Sequence, residues 1–360
     1  MKKTWILILT GILLIGGAPS DKTRKPIDQV GFATQPWQMD SVMDRIFSSQ
    51  GKKILDSWDF NGITKSTSWK VALCPHDDYT YAGWLYPAVL RNIKASTVIL
   101  IGVAHKAKKF GIEDKIVFDN YDYWQEPYGP TPISGLREKI MNKLPASTFI
   151  VSDSLHQAEH SLEALAPVLQ YYNRQVRIIP VLIPTMSFTT MDGLAGSFAR
   201  SITSVMQDLS LEWDRDIALV ISNDAVHYGD EDWGGQNYAP YGVDSAGYLQ
   251  ALTHEYEIIN NCLTGELTKN KIRRFTDYTV SDTNYRCYKW TWCGRYSVPF
   301  GLLTALYMEQ SLRSNPVKGV LLGYGNSIMQ NAIPVEDLKM GKTAGASLRH
   351  WVGYAAIGYR

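Results

Sequence analysis

The sequence predicts an α/β fold: a single domain with a central, mainly parallel sheet flanked by helices. Three observations carry this. Short unbroken apolar runs rich in β-formers recur along the chain, as strands buried on both faces do. Longer amphipathic stretches separate them, the alternation that parallel strands need for their crossovers. Titratable residues follow directly on several of the runs, at the edge where open α/β sheets bind ligands.

The elements follow in chain order. Lys2 and Lys3 precede the apolar run Trp5 to Ile15 and the small residues Gly16, Gly17 and Ala18. That is the layout of a secretory signal over residues 1–18, and it is shorter than the ~20 residues that span a bilayer. The expected location is therefore periplasmic or extracellular, with an uncleaved N-terminal anchor as the alternative and no stable span after cleavage. No cysteine stands near Ala18 to carry a lipid. One domain is expected over residues 28–360, without repeats or linkers. Its strands are VALC (71–74), TVILIG (97–102), RIIPVLI (177–183), IALVIS (217–222), KGVLLGY (318–324) and WVGYAAIG (351–358). Helices are expected at Leu85–Ile93, Glu159–Tyr172, Thr190–Leu209, Ser245–Asn260 and Pro299–Leu312. In the second of these, Leu162, Leu165, Ala166 and Leu169 share one face.

The net charge of +1 over 360 residues falls to −1 when Lys2 and Lys3 are lost with the signal. Nucleic acid as the main partner is disfavoured, since phosphate binding needs a basic surplus. The chain lacks G-x-S-x-G, H-E-x-x-H and a phosphate loop, which makes a hydrolase the weakest reading. Gly323-Tyr324-Gly325 lacks the third glycine of a dinucleotide fingerprint.

Three of seven histidines, His76, His105 and His227, stand just past predicted strands. Parallel strands would bring them to one rim. Taken singly, such a histidine is more often a hydrogen-bonded loop residue; three on one rim favour a metal site. His160 is expected at a helix start, where the dipole holds imidazole neutral. Cys293 precedes the helix near Pro299 with Arg295 close by, a setting that favours the thiolate. A thiolate with two imidazoles suits iron, copper or zinc. If the chain is exported, the cysteines Cys74, Cys262, Cys287 and Cys293 have three possible full pairings. A Cys287–Cys293 disulfide would abolish the ligand set.

A series of stretches then occurs in a fixed order: PHDDYTYAG (75–83), IGVAHK (101–106), AEHSLEALAPVLQ (158–170), IIPVLI (178–183), SNDAVHYG (222–229), CGR (293–295) and GYAAIG (353–358). On these the chain resembles the Memo family, the B component of the bacterial AmmeMemoRadiSam set, over nearly all of the mature chain. The resemblance implies a fold similar to the class III extradiol ring-cleavage dioxygenases. Those hold non-haem iron with two histidines and a glutamate, which in Memo-like proteins a cysteine replaces.

The resemblance therefore implies His76, His105 and Cys293 as ligands of Fe(II) or copper. It sets Asp224 and His227 in the same vestibule, with His227 as acid/base. Glu159 and His160 would orient ligands or transfer protons. Asp77, Asp78, Tyr79, Lys106 and Arg295 are the expected substrate contacts. Asp77-Asp78 replaces the family's residues after the first histidine, and either carboxylate is a candidate for an extra oxygen ligand. Lys106 stands where a second histidine is usual, and favours an anionic substrate. The function expected is a metal-dependent, dioxygenase-like redox enzyme acting on a small molecule. The alternative is a non-catalytic protein that binds a peptide or small ligand in the same cleft.

Overall fold

The buried apolar runs form the middle of a sheet that has ten strands among the described residues. The structure is a computed structural model describing residues 22–28, 30–329 and 332–360. The strands in chain order are β1 (Thr23–Arg24), β2 (Val71–Cys74), β3 (Thr97–Val103), β4 (Ile116–Phe118), β5 (Tyr123–Glu126), β6 (Gly129–Pro132) and β7 (Phe149–Val151). They continue with β8 (Arg177–Ile183), β9 (Ile217–Ser222), β10 (His227–Gly229), β11 (Gly265–Glu266), β12 (Lys318–Asn326) and β13 (His350–Tyr359). The large sheet runs β11-β12-β13-β2-β9-β3-β8-β4-β7, with β10 paired to β13; β1, β5 and β6 make a separate small sheet.

The fold is α/β as expected, and the sheet is mixed and partly parallel. Its centre, β2-β9-β3-β8, is parallel throughout. β12 and β13 join antiparallel to their neighbours, and β4 joins β8 antiparallel but β7 in parallel. The central strands are buried along their whole length apart from Arg177, which is why they read as unbroken apolar runs. Glycines let the late strands pass under large rings. A Cβ on Gly323 would lie 2.0 Å from Trp84, and one on Gly358 would lie 2.3 Å from Trp69. Packing against Trp84 thus accounts for the first glycine of Gly323-Tyr324-Gly325.

Ten α-helices flank the sheet among the described residues. Phe188–Asp208, Lys269–Thr279 and Ser297–Leu312 contribute to the core on one face. Pro36–Phe60, Leu85–Leu90 and Leu165–Tyr172 pack on the other. The helix at Ser297–Leu312 is apolar on nearly every side because it lies between the sheet and other helices.

The expected helix Glu159–Tyr172 starts late, at Leu165. A short helix covers Asp153–Ala158 and another Leu165–Tyr172, with turns between. Glu159 and His160 therefore sit in the break, not at a helix N-terminus. Pro36–Phe60 is a 25-residue helix that the sequence reading missed. No described helix is long and apolar enough to cross a membrane. The signal over residues 1–18 lies outside the described residues.

Candidate metal centre

Strand register brings the histidines together. β2 and β9 pair in parallel with Cys74 opposite Ser222, so His76 and Asp224 emerge two residues past matching positions. The backbone N–H of His76 donates to Asp224 Oδ1 at 2.8 Å. β3 lies on the other side of β9 and releases His105 two residues past its end. A bridge between Val226 and Trp292 carries Cys293 to the same rim, where Asp224 N–H donates to its Sγ at 3.2 Å. Gly294 is needed for that approach: its N–H donates to Asn223 Oδ1 at 2.9 Å, and a Cβ there would lie 2.1 Å from that oxygen.

Donor atoms of His76, His105 and Cys293 all lie within 4.8 Å of one another, so the group can hold a metal ion. The hydrogen bonds behind them fix which nitrogen is available. Ser222 Oγ gives its only hydrogen to the Ser161 carbonyl, so it must accept from His76 Nδ1–H at 2.7 Å. That leaves His76 Nε2 with a lone pair, 3.7 Å from Cys293 Sγ and 3.3 Å from Asp224 Oδ2. His105 Nδ1 lies 2.9 Å from Glu159 Oε1. The same oxygen accepts from the N–H groups of His160 and Ser161. Burial opposes the Glu159 charge, but the His105 bond, His105 and His160 outweigh it and hold the pKa down at about 2. An ionised Glu159 draws the proton to His105 Nδ1 and leaves Nε2 free. Two oriented imidazole lone pairs beside a thiol make a set suited to a first-row metal.

Cys293 corrects one expectation. Arg295 does not lower its pKa: the guanidinium lies over Tyr288, 3.4 Å from the ring centroid, and donates to the Arg286 carbonyl. Burial pushes the thiol well above its ordinary value, and Asp224 adds to the rise. Without a metal the thiol is protonated; a coordinated cation would deprotonate it. All four cysteines are free, and Cys287 does not sequester Cys293.

A cavity of about 770 Å³ opens over His76 and His105, with Cys293 outside its lining. Its lining includes His76, Asp77, Asp78, His105, Lys106, His160, Asp224 and His227. His227 Nδ1 faces the carbonyls of Ala225 and Thr291, so it carries the proton and leaves Nε2 as the lone pair. Burial lowers its pKa to about 4, which keeps the ring neutral at pH 7. His160 is lowered mainly by burial and then by His105, and not by a helix dipole as expected.

Asp77 and Asp78 line the cavity, but neither joins the close donor groups among the described residues. Tyr354 donates to Asp77 Oδ2 at 2.6 Å, and Thr343 holds Asp78 through N–H and hydroxyl. These bonds turn both carboxylates toward their own partners, so an extra oxygen ligand from either is a corrected expectation. Tyr79 faces away from the cavity: its ring packs between Phe32 and Tyr86, and its hydroxyl donates to the Ala164 carbonyl at 2.8 Å. Tyr81 is the tyrosine of that stretch that lines the cavity. Arg295, expected as a substrate contact, is outside the lining.

Glu255 was missed by the sequence reading. Its buried carboxylate accepts from Trp290 Nε1 at 2.6 Å, Trp292 Nε1 at 2.7 Å, Val226 N–H at 3.2 Å and Tyr324 hydroxyl at 3.1 Å. It thereby ties the segment carrying Cys293 to the segment carrying Asp224 and His227. No motif announces it, because the donors come from three distant segments.

The sequence profile of the Memo-like protein family matches residues 39–332. A MEMO1 family protein from Aquifex aeolicus is 33% identical over 162 residues, 44% of this chain and 54% of the relative. One from Pyrobaculum arsenaticum is 30% identical over 161 residues, 43% of this chain and 52% of the relative. These alignments span about half the length of those relatives. One from Pyrococcus furiosus is 22% identical over 282 residues, 72% of this chain and 86% of the relative. The chain belongs to the Memo-like family.

Proposed function

We propose that this Memo-like chain is a metal-dependent redox enzyme whose centre is His76, His105 and Cys293, with Fe(II) or copper as the ion. The observation that carries this is the fixed proton placement: Ser222 and Glu159 each take an Nδ1–H, so both imidazoles offer Nε2. When bound, such an ion would supply Lewis acidity and electron transfer to a substrate and O₂. The protein's own residues would do the rest. Asp77 and Asp78 set the charge of the cavity wall. The neutral His227, its Nδ1 fixed by two carbonyls, would accept a substrate hydroxyl proton at Nε2. Trp233, against which the His227 ring packs at 5.4 Å, would bound an aromatic substrate. Residues 1–18 would direct export; N-terminal sequencing of the secreted protein tests that.

The experiment is anaerobic purification without residues 1–18, metal analysis, and an O₂-uptake screen over small aromatic diols. Metal-dependent uptake that His227→Gln reduces while metal content holds supports the enzyme. Stoichiometric metal without any turnover supports the alternative, a binding protein using the same cavity, whose ligand would be a small molecule or peptide.

The outer hydrogen bonds give a separate prediction. Ser222→Ala and Glu159→Gln should each lower metal affinity by about 10–100-fold, the usual cost of losing a partner that orients a ligand. Competition titration against a chelator reads this. Unchanged affinity in both variants would mean that the imidazoles need no orienting.

A further inference from the structure

The carboxylate behind His105 belongs to a second donor group. Glu159 Oε1 lies 2.9 Å from His105 Nδ1 and 3.6 Å from His160 Nδ1. Donor atoms of His105, Glu159 and His160 all lie within 4.8 Å of one another. The His105 and His160 rings are parallel to within 4°, with centroids 5.2 Å apart. Two donors each ~2.1 Å from one ion stand roughly 3–3.5 Å apart, so 2.9 and 3.6 Å are close to what a shared ion requires. Glu159 Oε2 is buried and has no hydrogen-bond partner among the described residues, although buried polar atoms nearly always find one. His105 and His160 both line the cavity, so an ion can arrive from solvent.

We infer that the cleft holds a second divalent cation at His105, Glu159 and His160, next to the one at His76, His105 and Cys293. This rests on the reading of the first position proposed above. His105 is common to both: Nε2 serves the first ion and Nδ1 the second. The second ion takes the place of the Nδ1 proton that Glu159 otherwise holds, and that proton leaves to solvent. The two positions differ in chemistry. The first offers two nitrogens and a sulfur and selects soft ions. The second offers two nitrogens and a carboxylate, the facial set that suits Fe(II), Mn(II) or Co(II). Lys106 adjoins His105 and its charge opposes a second cation, so the second ion binds more weakly than the first.

Cobalt(II) titration of the metal-free, full mature chain under anoxic conditions tests this, because a thiolate ligand gives a charge-transfer band that nitrogen and oxygen ligands do not. In the wild type the first equivalent should bring that band and a second should add ligand-field absorption alone. His160→Ala should stop at one equivalent, with the band. Cys293→Ala should also stop at one, without it. Saturation of the wild type at one equivalent with the band, unchanged in His160→Ala, would overturn the second position and leave the first standing. Cobalt bound without any band, but lost in His160→Ala, would support the second position and refute the first. No cobalt uptake would overturn both.

Discussion

Replacing Cys293 with alanine should cut affinity for iron or copper at its position by more than about 100-fold, beyond the ~10–100-fold that an orienting partner is worth. His76→Ala and His105→Ala should do the same. The three residues come from two parallel strand ends and a bridged loop, which are held by backbone pairing rather than by these side chains. The scaffold should therefore survive each change. Cys293→Ala is the cleanest of the three, because it removes one buried sulfur and only long contacts, with the Asp224 backbone and His76 Nε2. His76→Ala also leaves Ser222 Oγ without its imidazole donor. Metal content after anaerobic reconstitution, beside thermal unfolding, separates loss of the ion from loss of the fold. Retention of metal at wild-type affinity in all three would refute the ligand assignment.

Glu255→Ala should destabilise the protein by about 3–5 kcal/mol. Its carboxylate is the acceptor for two indole N–H groups, one backbone N–H and a tyrosine hydroxyl. Stranding one buried donor costs about 1–3 kcal/mol, and partial relaxation and water entry keep the total below the full sum. Glu255→Gln keeps the shape but turns an N–H₂ toward donors, and should cost about 1–3 kcal/mol. Denaturant titration measures both. The pH dependence follows from burial, which raises the Glu255 pKa to about 7 against the pull of its donors. A carboxyl raised on folding binds more protons folded than unfolded between its ordinary value near 4.5 and about 7. Its stabilising contribution is thus full below the lower value and declines as pH rises to the upper one. The stability gap between wild type and Glu255→Gln should narrow over that interval. A gap that widens instead would mean that the carboxylate is held ionised by its four donors.

The sequence was informative where one physical signal dominated. The six strands it predicted are all in the sheet: each is an apolar run, and all but the one at 318–324 are buried over most of their length. The short strands Ile116–Phe118, Phe149–Val151 and His227–Gly229 were missed, since three residues carry no readable period. The antiparallel joins at β13 and β4 depend on long-range pairing that local pattern does not record. Pro36–Phe60 was legible and overlooked: Met39, Val42, Met43 and Ile46 are buried at helical spacing behind a proline at the first turn.

The site divides in the same way. His76, His105 and Cys293 could be named from the resemblance, and the strand register explains why they converge. Glu159 and His160 were named from the resemblance as orienting residues, and the Glu159 carboxylate does meet His105; the helix N-terminus expected to hold His160 neutral is not there. Tyr79 and Arg295 were named from adjacency, but side-chain direction decided against both. Glu255 and Ser222 had no local signal at all, because their partners lie 29 to 146 residues away in sequence.

The most direct test is X-ray absorption at the metal edge of the anaerobically reconstituted protein, in wild type and Cys293→Ala. A centre of His76, His105 and Cys293 predicts a sulfur neighbour at about 2.3 Å with nitrogen neighbours at about 2.0–2.1 Å, and no sulfur neighbour on any ion that the variant retains. A metal-loaded wild type whose first shell holds only nitrogen and oxygen would contradict it.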